Sequence, residues 1–287
     1  MKFINGKQEK ERVTHIKSTI SWKDINLYEL YEYRDLIRML VERYFTTIYK
    51  QTILGPLWII INPLITTLMY SLIFGNIARI STDGMPYLLF YMSGTTMWSL
   101  FSSTLQNASN TLIANAGIFG KVYFPRLAAP VASTICACVN YIIQFAIFIL
   151  IFLFYLFTEN ILVPSSAILL VPALILQTAA LGMSIGVIIA SWTVKYRDLG
   201  VLISFALQLW MYATPVVYPL SVTGRLERLI LMLNPMSPII EAFRYAFMGV
   251  GEFSPAFLSI SGFVTVIMAA VAIPVFNRAE KTSVDTI

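Results

Sequence analysis

Side chains able to hydrogen-bond recur every fourth residue in three stretches of this chain. They are Asn62, Thr66 and Tyr70; Thr95, Ser99, Ser103 and Asn107; and Ser204, Gln208 and Tyr212. On an α-helix that spacing lines one face, and every group in the three ladders is neutral. Such a face bonds a neighbouring helix, or it wets a passage and guides a hydroxyl-rich molecule without trapping it by charge. Both uses require helices set in apolar surroundings.

Acid–base and metal chemistry have no comparable candidates. The single histidine, His15, lies in the polar N-terminal tail, and no Asp, Glu, Lys or Arg falls inside an apolar span, so a proton relay or charged ion site within the membrane is not expected. No His, Cys and carboxylate cluster has metal-ligand spacing. Cys136 and Cys138 are two residues apart, on different faces of one helix, and read as small core residues with no mutual disulfide. Gly6-Lys7 and Gly120-Lys121 lack both the upstream glycine and the following Ser or Thr of a phosphate loop, so no ATP site of that kind is expected. A membrane-embedded glycan-processing enzyme is a weaker alternative, because the acids it would need, Glu159, Glu241 and Glu252, belong to no paired motif.

The surroundings of the ladders are those of a bilayer. No charged residue occurs from Gly84 to Gly120, Leu127 to Thr158, Asn160 to Val194 or Leu199 to Gly224. Charged residues make up 12% of the chain against roughly 25% in soluble domains, and hydrophobic ones 57%. The sequence predicts an all-α polytopic membrane protein with six transmembrane helices near 57–78, 86–109, 128–156, 167–193, 199–217 and 256–276. Ser221 to Gly251 is apolar but holds Arg225, Glu227, Arg228, Glu241 and Arg244, and Pro235 and Pro238 break it. It reads as two short re-entrant helices between spans five and six.

Charge asymmetry sets the expected orientation. Ten Lys or Arg precede span one, and Lys121, Arg126, Lys195, Arg197, Arg278 and Lys281 fall on the same side; Arg79, Arg225, Arg228 and Arg244 fall on the other. Both termini are therefore expected in the cytoplasm. The net charge of +5 suits a basic face near anionic membrane lipids and calls for no nucleic acid. Residues 1–28 are polar and charged and read as a cytoplasmic tail rather than a secretory signal. Residues 29–50 read as an amphipathic interface helix. Leu30, Tyr33, Ile37, Leu40, Tyr44 and Ile48 form its apolar stripe, with Asp35, Arg38 and Glu42 opposite.

Several residues have local readings of their own. Pro63 is expected to kink span one. Asp198 suits an N-cap for span five. Ser237-Pro238 reads as an N-cap and first helical residue, with Glu241 and Arg244 on the next turn. Gly182, Gly186 and Ala190 form a small-residue packing stripe in span four.

Five ordered motifs carry a resemblance. Leu54-Gly55-Pro56-Leu57-Trp58 with Asn62-Pro63, Lys121-Val122-Tyr123-Phe124-Pro125-Arg126, Tyr196-Arg197-Asp198, Thr214-Pro215-Val216-Val217-Tyr218 and Asn234-Pro235-Met236-Ser237-Pro238 follow one another along the chain. Over about Arg34 to Ala279 the sequence resembles the membrane subunit of ABC-2 type polysaccharide exporters, which move O-antigen, capsule or teichoic acid chains across the bacterial inner membrane. The resemblance implies a homodimer working with two copies of a separate ABC ATPase that binds ATP and Mg, this chain holding no cofactor. It implies a lipid-linked polysaccharide substrate and a channel at the dimer axis lined by Asn62, Thr66, Tyr70, Ser204, Gln208 and Tyr212. The loop from Asn110 to Arg126, with Asn115, Phe119, Lys121, Tyr123 and Arg126, would touch the ATPase beside the interface helix of Tyr33, Arg38 and Tyr44. Pro235, Pro238, Glu241 and Arg244 would belong to an outer gate. An ABC-2 exporter of drugs or lipids is the alternative, and a more apolar path would be expected of it.

Overall fold

Charge-free stretches become helices here, and the charged or proline-containing stretches become the turns between them. The computed structural model describes residues 27–49, 55, 57–119, 124–158, 164–193, 196 and 198–284, and among them there is no strand. The helices are α1 (Leu27–Glu32), α2 (Arg34–Tyr49), α3 (Leu57–Tyr70), α4 (Tyr87–Ala114), α5 (Ala116–Phe119), α6 (Ala128–Thr158), α7 (Val171–Thr193), α8 (Leu199–Tyr212), α9 (Arg225–Leu233), α10 (Met236–Met248) and α11 (Pro255–Val284). A wider π-helical stretch, Ser71–Ile77, continues α3, and a 3-10 turn, Ser166–Leu170, leads into α7.

Four segments are long and apolar enough to cross a bilayer: Leu57–Ile77, Ala128–Thr158, Ser166–Thr193 and Pro255–Arg278. The other two expected spans form helices of different character. At 28 residues, or about 42 Å, α4 is long enough but rich in Ser and Thr. The fifth expected span was drawn to residue 217, but α8 stops at Tyr212, about 21 Å from its start and short of the roughly 30 Å hydrocarbon core. Pro215 cannot continue the hydrogen-bond ladder, and residues 213–218 turn instead.

The core is built round α4, whose Leu89, Tyr91, Met92, Met97, Leu100 and Phe101 are almost fully buried. Its hydroxyls can sit there because they bond their own helix: Ser93 Oγ donates to the Phe90 carbonyl at 2.7 Å, and Thr96 and Thr104 reach the Met92 and Leu100 carbonyls at 2.8 Å. The expected small-residue stripe is the seam with α7. A Cβ on Gly182 would fall on Thr104 Oγ1 and lie 2.8 Å from the Phe101 carbonyl; one on Gly186 would strike the Leu105 carbonyl and lie 2.7 Å from Ala108 Cβ. Thr193 Oγ1 extends the seam with a 2.9 Å bond to the Ser109 carbonyl. On the other side, Phe148 and Phe152 of α6 meet Phe247 of α10 with ring centroids 5.0 and 5.2 Å apart. By contrast, only 11% of the apolar window of Leu57–Ile77 is buried.

Two local expectations are corrected. Asp198 stands at the N-cap position of α8 but has helical dihedrals and makes no capping bond. The start of α10 is capped by Asn234, whose Oδ1 accepts from the Met236 amide at 3.2 Å, while Ser237 and Pro238 already lie inside the helix and Ser237 Oγ is buried without a partner among the described residues. With Pro235 fixing the backbone before it, the helix starts at Met236, two residues earlier than the Ser-Pro reading assumed. Pro63 lies within α3, and the departure from α-helical geometry comes after Tyr70.

Candidate substrate path and coupling surface

The ladders of α3 and α8 are left bare. Asn62, Thr66, Ser204, Gln208 and Tyr212 are exposed on the chain, and Tyr70 is half-buried. Tyr70 donates its phenol hydroxyl toward Met211 Sδ at 3.8 Å, which brings the two helices together at one end. Ser204 Oγ accepts from Gln106 Nε2 of α4 at 2.7 Å. The α4 ladder serves packing where it is deepest: Thr95 is buried, with its Oγ1 3.3 Å from that of Thr67 on α3. Exposed Asn and Gln side chains on apolar helices are expensive against acyl chains, so these faces belong to water, a ligand or another protein chain.

A buried cation organises the far end. Arg244 of α10 donates from Nη1 to the Pro215 carbonyl at 2.6 Å and to Glu241 Oε1 at 3.1 Å, from Nη2 to the Val216 carbonyl at 2.7 Å, and from Nε to Ser93 Oγ at 3.3 Å. The guanidinium carbon lies 3.8 Å from the Phe90 ring centroid, a cation–π contact. Glycine is required at Gly94, where a Cβ would sit 2.8 Å from the Val216 carbonyl and 2.9 Å from Nη2. Glu241 Oε2 in turn accepts from the Glu252 amide at 3.0 Å. The i, i+3 pairing expected of Glu241 and Arg244 is present, and it is 2–3% exposed.

Asn234 closes the same region. Its amide nitrogen donates to the Ala213 carbonyl at 3.0 Å and to Thr214 Oγ1 at 2.8 Å, and its Oδ1 accepts from Trp210 Nε1 at 3.1 Å. Pro235 is the corner between α9 and α10, and Pro238 is buried in the first turn of α10. Arg228 of α9 pairs with Glu252.

At the opposite end, two separately nominated residues meet. Asn115, buried at the end of α4, donates from Nδ2 to the phenol oxygen of Tyr44 at 2.7 Å and accepts from Arg43 Nη1 at 3.5 Å. Burial pushes the Tyr44 phenol up, against the lowering effects of the Asn115 bond and nearby Arg43, so it remains a neutral hydroxyl. Of the expected stripe, Leu30, Tyr33, Ile37, Leu40 and Tyr44 pack with Phe124 and with Ala128, Ala129 and Ala132 of α6, and the Ile48 side chain lies outside what the structure describes. The single helix expected over residues 29–50 is broken at Tyr33, and Arg38 is exposed and pairs with Glu42 at 3.2 Å. Arg126 stands in the turn before α6, its carbonyl accepting from the Ala129 amide at 3.2 Å. Phe119 ends α5, while Lys121 and Tyr123 lie outside the described residues.

Sequence reasoning missed Phe90, Ser93, Gly94 and Arg43 as site residues, and took Asn234 only as part of a motif. A lone Arg in an apolar stretch was the available signal, because a buried guanidinium must find acceptors somewhere.

Residues 35–248 match the ABC-2 type transporter family. The chain belongs to that family. It is 28% identical over 221 residues to the O-antigen export system permease protein RfbA of Myxococcus xanthus, covering 76% of this chain and 82% of that protein. It is 25% identical over 246 residues to an O-antigen export system permease protein RfbA of Klebsiella pneumoniae, covering 86% and 92%. The ABC-2 assignment makes the chain a multi-pass membrane subunit of a transporter rather than an enzyme. The matched region of this ABC-2 chain contains both ladders, the Arg244 cage and the Asn115–Tyr44 junction.

Proposed function

We propose that this chain is the permease subunit of an ATP-driven exporter carrying a lipid-linked polysaccharide, of the O-antigen, capsule or teichoic acid type, across the bacterial inner membrane. The named relatives support the substrate class. The observation that carries the mechanism is the pair of bare, neutral polar faces on α3 and α8. Two copies facing each other through α3 and α8 would enclose those ladders as a channel at the dimer axis and cover the sparsely buried α3. Sugar hydroxyls exchange hydrogen bonds along Asn62, Thr66, Ser204 and Gln208 at little net gain per step, so the chain is guided without being held.

In this reading all six segments span the membrane, with α8 completed by the turn at Thr214 to Tyr218, and both termini are cytoplasmic. The α2 helix lies along the cytoplasmic interface, and α9 with α10 dips back from the outer side as the gate. Two partner ATPase chains bind ATP and Mg and push on the Asn110 to Arg126 region, and Asn115 passes the displacement to α2 through Tyr44. The experiment is deletion of the gene in its host. Lipid-linked glycan should accumulate inside the cell, and the wild-type gene should restore surface polysaccharide; unchanged surface polysaccharide in the deletion would refute the reading.

A further inference from the structure

We propose that a second sugar site, separate from the α3 and α8 ladders, lies at the end of the molecule remote from α2 and takes one or two neutral sugar residues of the emerging chain. It rests on the glycan-export reading. A cavity of about 570 Å³ opens between the start of the π-helical stretch, the loop before α4 and the end of α6. That is within the roughly 300–1,000 Å³ of small-ligand sites. Its lining includes Ser71, Ser81, Thr82, Gly84, Tyr87 and Tyr155, and no described charged side chain lines it. Hydroxyls beside two phenol rings suit a pyranose, which offers hydroxyls round its edge and an apolar C–H face to stack on an aromatic ring.

The absence of charge is built rather than incidental. Asp83 is in the same loop, but Ser221 Oγ donates to its carboxylate at 2.6 Å, and neither residue lines the cavity. The loop is also pre-formed. Thr82 Oγ1 donates to the Met85 carbonyl at 2.6 Å, and the Asp83 amide donates to Ser81 Oγ at 3.2 Å. Arg79 and Asp83 hold left-handed φ values of 51° and 53°, a cost that recurs where a loop is fixed for binding. The Tyr87 ring is wedged over Gly75, where a Cβ would stand 2.8 Å from its Cγ, and stacks on Tyr91 at 6.5 Å. Tyr87 is thus a fixed wall of the cavity, and the half-buried Tyr155 is the ring on which a sugar can stack.

The test places a photoreactive benzoylphenylalanine at Ser81, at Gln208, or at Ile142 on the exposed side of α6, in cells making surface polysaccharide. After illumination, carbohydrate staining should show a glycan adduct from Ser81 and Gln208 and none from Ile142. An adduct at Gln208 without one at Ser81 would overturn the second site and leave the export reading standing. No adduct at either, with polysaccharide still reaching the surface, would sink both, and an equal adduct at Ile142 would mean non-specific capture and overturn the site. As a second measurement, Tyr155→Ala should lower the Ser81 adduct roughly fivefold, the loss of about one stacking contact, and Tyr155→Phe should restore it. An undiminished adduct in Tyr155→Ala, with the variant inserted at wild-type level, would also refute the proposal.

Discussion

Arg244 and Ser93 are 151 positions apart in the chain, and a 3.3 Å bond from Nε to Oγ joins them. Ser93 donates its own hydrogen bond to the Phe90 carbonyl, so its oxygen is free to accept. The guanidinium also holds two successive carbonyls after α8, which makes α4, α10 and the 213–218 turn one mechanical unit. Of the residues nominated for an outer gate, Arg244, held by Glu241, clasps that turn.

Arg244→Met should destabilise the permease by about 3–5 kcal/mol, because Glu241 stays buried without its cation and two carbonyls lose their donor. Thermal unfolding in detergent measures this. Adding Glu241→Leu should recover part of the loss, whereas Arg244→Lys should rescue little, since an ammonium cannot present the guanidinium fork.

Gly182→Ala and Gly186→Ala should each cost about 1–3 kcal/mol by forcing α7 away from α4. Gly262→Ala, at a position where an added Cβ meets nothing within 4 Å, should leave the unfolding temperature unchanged. Equal effects at all three positions would mean that the α4 and α7 seam is not tightly closed.

Tyr44→Phe removes one hydrogen bond to Asn115, a stability loss of about 0.5–1.5 kcal/mol, so the protein should still insert. If the junction relays force, polysaccharide exported per ATP hydrolysed should fall more than the amount of folded complex. Asn115→Ala should do the same, and a normal export-to-hydrolysis ratio in both would remove the junction from coupling.

Gln208→Leu and Tyr212→Ala should slow export with little change in unfolding temperature, because neither side chain is packed within the protomer. If these residues instead bond a neighbouring helix across the dimer, stability should fall in step with export, by about 0.6 kcal/mol per lost bond.

With Cys136 and Cys138 replaced by Ala, cysteines at Lys121 and Arg197 should be shielded from an impermeant thiol reagent in intact cells, and one at Arg225 should react. Labelling at Arg278 from outside would place the C-terminal segment on the wrong side of the membrane.

Features with a local period were legible in the sequence. The α2 stripe, the Gly182 and Gly186 seam and the ladders each come from spacing within one helix, and spacing alone decides which side chains share a face. The Arg244 cage joins three segments, and no one of them shows why Gly94 must be glycine. Asn234 was hidden for a similar reason, since its partners Trp210, Ala213 and Thr214 precede it by about one tight reversal of the chain. The α8 end was misjudged because apolar residues continue past Tyr212 although the helix does not. Hydropathy measures solvent preference, while Pro215 and the Arg244 donors decide the backbone path.

The hydroxyls that α4 bonds back to its own carbonyls bear on biogenesis. Membrane segments leave the ribosome in order, so an α4 that spans the bilayer, as proposed, resides in lipid before α6, α7 and α10 exist to surround it. A helix whose polar side chains wait for distant partners would be poorly retained there; one that satisfies them internally can wait. Arg244 is the opposite case, since its acceptors are supplied by segments made earlier. Its docking is thus a late step in assembly, completed only when α4 and the 213–218 turn are already in place.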